Sequence, residues 1–234
     1  MNIKDYYLKI NSQCQNILGK TLEDTESFGQ AYHLSSCIYN FSENIADLKE
    51  KEMLNTVCNQ LEASNLNLAL GLYRQAFSSL RLAFEMGLGV VHFSVNKLEH
   101  TEWLLGKNDI TWSKVVNSED GVLSTRFFNA FFPEIQPHAL VYRSKASETY
   151  RSLSEYVHGN HHTWISSGME LKLNQELVKN YFIHFKAVTE TILLVLCCRY
   201  LKSFTTDQLD SVDHLAEELN FIPPLFHFLR GETK

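Results

Sequence analysis

Arg151, Glu155 and His158 stand at i, i+4 and i+7 in the stretch HALVYRSKASETYRSLSEYVHG, residues 138–159. At 100° per residue, seven steps turn a helix to within about 20° of two full revolutions, so all three side chains share one face. Gly159 is expected to end that helix in the left-handed conformation. His158 then falls in the last turn, where the negative end of the helix dipole and the Glu155 carboxylate both favour a cation. A permanently charged planar guanidinium can hold a phosphate by paired hydrogen bonds, and an imidazole can move protons. Cleavage of a phosphodiester next to a ribose asks for little more. The 2′-hydroxyl is an internal nucleophile, so the protein has to deprotonate it, stabilise the phosphorane and protonate the leaving oxygen, a route that needs no metal. Spacing alone is weak support, since about one Arg/His pair of this kind arises by chance in a chain of this composition. What adds weight is the shared face, the helix end and the polar Asn160, His161 and His162 that follow.

The elements that position these residues are expected to be helices. Apolar residues recur at three and four positions, and no proline occurs before Pro133. With 234 residues, 44% hydrophobic content and 21% charged, the chain can fill a sizeable core and is not a disordered or low-complexity polymer. A net charge of −6 argues against a surface that coats nucleic acid throughout. The pattern predicts helices over 5–18, stopped by Gly19, over 21–48 and over 50–61. A long helix is predicted over 65–95, with Leu66, Leu70, Tyr73, Phe77, Leu80 and Phe84 on one stripe and Gly87 and Gly89 marking a kink or close packing. A short helix at 99–105 is followed by a connection with Trp112 tucked in. Another helix starts near Ser118 and stops at Pro133. Pro137 opens the helix that carries Arg151. Asn174 caps a helix through residue 201, and a last one runs from Thr205 or Thr206 to 219, ended by Pro223 and Pro224. The expected architecture is an all-α single bundle of about seven to nine helices, with an N-terminal extension over 1–62, a core over 65–203 and a C-terminal helix and tail over 204–234.

The segment TYRSLSEYVHG resembles the motif helix of HEPN proteins, whose signature is Arg, four to six residues, then His. The earlier helix YRQAFSSLRLAFEMGL, with Arg81 and Glu85 one turn apart, is similar to the long helix that precedes it in such families. The resemblance implies an all-α HEPN-like core over 65–203, a homodimer that brings two Arg/His pairs into one cleft, and metal-independent endoribonuclease activity on RNA. It also implies a toxin–antitoxin or antiphage-defence setting with an antitoxin or defence-system partner protein. Arg151 would contact phosphate, His158 would serve as acid or base, and Glu155 or Glu85 would orient them, with Tyr156, Asn160, His162 and Arg81 as auxiliaries. Ser152 stands where many active members carry Asn, Asp or His. The alternative is a catalytically silent module of the same fold that binds a partner protein, nucleotide or RNA and regulates an associated effector.

Plainer readings stand beside these. Arg151 and Glu155 could form a solvated i, i+4 ion pair, and Arg81 with Glu85 a structural one. His158, His161 and His162 lack the nearby Cys or carboxylates of a zinc site, so neither a metal nor a cofactor is expected. Cys14, Cys37, Cys58, Cys197 and Cys198 form no CxxC pair, which suits a reducing, cytoplasmic setting. No membrane span is expected, since the apolar run 192–198 is much shorter than about 20 residues. Phe127, Phe128, Phe131 and Phe132, or the long helix from Asn65, are candidate oligomer surfaces.

Overall fold

The computed structural model describes residues 2–159, 163 and 171–231. Among these the chain is 79% helical without strands, and about nine helices have seven or more residues. Four long helices come first: α1 (Ile3–Thr21), α2 (Thr25–Ser42), α3 (Leu48–Ala69) and α4 (Tyr73–Val95). Three short ones follow, α5 (Lys97–Leu104), α6 (Trp112–Val115) and α7 (Thr125–Phe131), then a 3-10 turn (Pro133–His138) that feeds α8 (Ala139–His158). Beyond it are α9 (Gln175–Tyr200) and the short α10 (Thr206–Ser211), α11 (Leu215–Glu218) and α12 (Pro223–Leu229).

Each start has a local cause. The side chains of Asn2, Asp24, Asp47, Ser124, Asn174 and Thr205 accept a backbone N–H of the first turn, removing donors that a helix otherwise leaves unpaired. Packing then decides the arrangement: α3 lies along α4, while α4, α8 and α9 pack on one another around Phe77, Phe84, Leu153, Tyr181 and Ile192. The span Gln175–Ser203, which contains α9, is long and apolar enough by length and composition to cross a bilayer. In this fold 78% of its apolar window is buried. The expectation built on the run 192–198 alone thus missed its length.

Several boundaries differ from those predicted. The helix expected over 65–95 is broken at Gly71, whose φ is +78° and whose α-carbon faces Ile17 so closely that an added Cβ would lie 2.9 Å from Ile17 Cδ1. The break is tertiary: the chain turns there against α1. Gly19, by contrast, sits inside α1. Gly87 marks close packing and no kink, since a Cβ there would meet Ile192 Cδ1 at 2.6 Å. Ser118 does not start the next helix; Ser124 does, its hydroxyl accepting Phe127 N–H at 3.1 Å. Pro223 and Pro224 open α12 at positions where a missing N–H costs nothing. Phe127, Phe128 and Phe132 are buried in the core and so are unavailable as an oligomer surface, and Leu66 points outward. Of the connection between α8 and α9, residues 166–168 lie outside the described residues, and 171–174 have no regular structure.

Candidate functional site

Helix α8 is amphipathic by construction. Tyr142, Ala146, Thr149, Leu153 and Tyr156 bury one side, which leaves Arg151, Val157 and His158 exposed and Glu155 half-buried. Its end is closed as the sequence predicts: Gly159 has φ +78° and its N–H donates to Glu155 O at 3.1 Å. The same carbonyl accepts the Thr163 hydroxyl at 2.9 Å. Arg151, Glu155 and His158 therefore share an outward ridge at the C-terminal end of one rigid helix. Among the described residues no bond joins Arg151 to Glu155, so the simple ion pair does not form.

Each flank of the ridge carries a polar cluster. On the α4 side, Arg81 Nη1 lies 3.2 Å from His158 Nε2, and Arg81 Nη2 donates to Glu85 Oε1 at 3.1 Å and to the Tyr150 hydroxyl at 2.6 Å. Tyr150 in turn donates to Glu85 Oε1 at 2.7 Å. The Arg81 side chain is only 14% exposed, and its guanidinium lies 4.7 Å from the Tyr150 ring centroid. Trp112 from α6 stacks on Tyr150, with centroids 3.8 Å apart and planes at 5°. Burial, and then the Glu85 bond and charge, push the Tyr150 phenol up, outweighing the opposing Arg81 contributions. It keeps its proton at neutral pH and remains the donor to Glu85. A guanidinium has donors only, so His158 Nε2 is the acceptor in its contact with Arg81.

On the α9 side, Ser152 Oγ and His184 Nε2 are 3.1 Å apart, and burial holds the His184 imidazole below the ordinary histidine value. Tyr156 belongs to the core. It is 5% exposed, stacks on Phe77 at 3.8 Å and bonds Asn180, and burial raises its phenol. The candidate auxiliaries Asn160 and His162, and His161 between them, lie outside the described residues.

The structure thus brings Arg81, Glu85 and His158 together and places Arg151 and Glu155 on the same ridge. Glu85 bonds Arg81 and Tyr150. Sequence reasoning missed Tyr150 and Trp112 because their partners come from other helices. By its spacing Tyr150 falls on the apolar stripe of its helix beside Leu153, and no local pattern surrounds Trp112. A cleft of about 450 Å³ lies elsewhere, between α4, α5, α6 and α7. Of its two acids, Glu99 and Asp120, Glu99 is already paired with His92 at 3.1 Å and Lys114 at 3.4 Å. Among the described residues no group of three or more His, Cys, Asp or Glu is placed to hold a metal ion. The five cysteines are all free and buried. Comparison with protein-family models, with curated proteins and with solved structures finds no match to this chain.

Proposed function

We propose that the chain is a HEPN-type endoribonuclease that cleaves RNA through its own 2′-hydroxyl. The supporting observation is the placement of His158. It ends a rigid helix, shares an exposed face with Arg151, and turns Nε2 toward a fixed second guanidinium. Acid–base chemistry needs an imidazole at the surface, and charge on the phosphorane needs cations beside it; this ridge offers both. Arg151 is the exposed phosphate contact, and Glu155 supplies negative charge on the same face. A homodimer would set two such ridges against one RNA, as a toxin or antiphage-defence effector acting with an antitoxin or defence-system partner.

The test is cleavage of RNA in EDTA by wild type, Arg151→Ala and His158→Ala at equal folded concentration. Wild type is expected to release 2′,3′-cyclic phosphate ends, and each substitution to lower kcat by about 10²-fold or more. Cleavage that survives His158→Ala removes the assignment. The second reading is the silent module that binds a partner protein, nucleotide or RNA. It is favoured by the occupation of His158 Nε2 by Arg81, and it is selected if no form cleaves while RNA still binds.

A further inference from the structure

The Arg81–His158 contact has a geometry that bears on which arginine meets the substrate. Because Nη1 and Nε2 are 3.2 Å apart, any oxygen that exchanges a proton with Nε2 must sit beside the Arg81 guanidinium. Arg81 is also ordered in advance: Glu85 and Tyr150 hold Nη2, the phenol is locked to the same carboxylate oxygen, and Trp112 stacks on the Tyr150 ring. Arg151 is exposed and would have to be ordered by the substrate. Donors fixed before reaction are the ones that stabilise a transition state most, because no reorganisation is spent at that moment.

We propose that Arg81, positioned by Glu85 and Tyr150, receives the scissile phosphate, and that the phosphate draws Arg81 from His158 Nε2 and frees that nitrogen to act as the base. The proposal rests on the ribonuclease reading. The exchange is favourable because a charged acceptor replaces a neutral one, and charge-assisted bonds are about twice as strong. In the step that follows, Nε2 takes the 2′-hydroxyl proton, the O2′–P bond forms and the P–O5′ bond breaks. The leaving O5′ takes a proton from water, and the hydroxide so formed neutralises the proton on His158. The products are a 2′,3′-cyclic phosphate and a 5′-hydroxyl, with nothing oxidised or reduced.

The experiment has two arms. In the first, RNA cleavage in EDTA is compared for wild type, His158→Ala, Arg81→Gln, Arg81→Lys and Tyr150→Phe, each checked for folding by circular dichroism. Arg81→Gln is expected to lose about 10²–10³-fold in kcat, as when a preorganised charge donor is removed. Arg81→Lys is expected to recover part of it, since an ammonium keeps the charge without the fork. Tyr150→Phe should lose less than Arg81→Gln, with kcat more affected than KM. In the second arm, ring ¹⁵N signals of His158 in the wild-type protein are followed as inorganic phosphate is added. A saturable shift at Nε2, absent in Arg81→Gln, is expected.

Folded Arg81→Gln that cleaves within about threefold of wild type, while His158→Ala is inactive, overturns the role of Arg81 and leaves the ribonuclease reading standing. His158→Ala that cleaves like wild type overturns that reading itself, and the role of Arg81 with it. If Arg81→Gln does not fold, the wild-type titration decides: an Nε2 signal indifferent to phosphate overturns the proposal.

Discussion

At the scale of the residue, neighbours on one helix have opposite assignments. Tyr156 was a candidate auxiliary because it lies between Glu155 and His158, yet its ring is stacked flat on Phe77 and its hydroxyl is spent on Asn180. Removing the hydroxyl by Tyr156→Phe is expected to cost about 0.5–1.5 kcal/mol, the net worth of one hydrogen bond, and to leave kcat unchanged. Tyr156→Ala is expected to cost about 3–5 kcal/mol, because a large buried ring is lost and a cavity remains. Urea unfolding of both, beside their cleavage rates, separates a packing role from a chemical one. Glu85 is the contrasting case. Glu85→Gln removes the charge that Arg81 and Tyr150 share, and is expected to destabilise by about 1–3 kcal/mol through a charged donor left underpaired in a largely buried site. Denaturant titration at neutral pH gives that number directly.

At the scale of the element, what the sequence disclosed depends on where each boundary has its cause. Gly159, Asn174 and the helix that carries Arg151 were legible because a cap is a local event, decided by a residue and its next few neighbours. The break at Gly71 was not, because it is made by Ile17 some fifty positions away, and the stripe Leu66 to Phe84 runs through it without interruption. The same holds for the site. Arg151, Glu155 and His158 could be placed on one face by counting, whereas Tyr150 meets Glu85 across 65 residues of chain, and Trp112 arrives from a four-residue helix. Two substitutions test a helix start and a helix contact. Asp47 accepts the Lys49 and Glu50 N–H groups at 2.9 and 3.2 Å and starts α3, so Asp47→Ala is expected to cost about 1 kcal/mol, seen as a lower urea midpoint with an unchanged slope. Gly87→Ala gains helix propensity, yet its new methyl group enters the space of Ile192. A net loss of about 1 kcal/mol is expected, relieved in part in the double variant with Ile192→Val, which removes Cδ1 and keeps Cγ1; a gain in stability would show that α4 and α9 are not packed this tightly.

At the scale of the whole molecule, the titratable groups set a dome of stability against pH. His100, His184 and His214 are each held below the ordinary histidine value, first of all by burial. The folded state therefore binds fewer protons at these sites than the unfolded chain does. Their contribution is complete above about pH 6.5, the unfolded value, and is lost as pH falls through the lower folded values. A second acid loss lies lower, at the carboxylates. Burial pushes Asp47 and Glu99 up, but the Lys97 bond and helix N–H groups on Asp47, and His92 and Lys114 on Glu99, outweigh it and hold both down. Their stabilisation persists above about pH 4 and disappears below it. The alkaline side is set by groups of the opposite sign. Lys97 is raised because Glu50 and Asp47 outweigh its burial, and burial comes first among the causes that raise Tyr142, Tyr181 and Tyr200. Burial also raises the thiols of Cys37, Cys58, Cys197 and Cys198. The thiol contribution is present below about pH 8.5 and that of Lys97 and the tyrosines below about pH 10, each lost as pH rises past that value. Unfolding free energies measured in urea are expected to be level from about pH 7 to 8, to fall first between about pH 6.5 and 5, and to fall again below about pH 4. His184→Gln is expected to flatten part of the first fall and to leave the second untouched. Stability that holds level down to pH 5 would mean that these imidazoles are not kept neutral by the fold, and that the burial of His184 beside Ser152 is shallower than the packing of α8 on α9 requires.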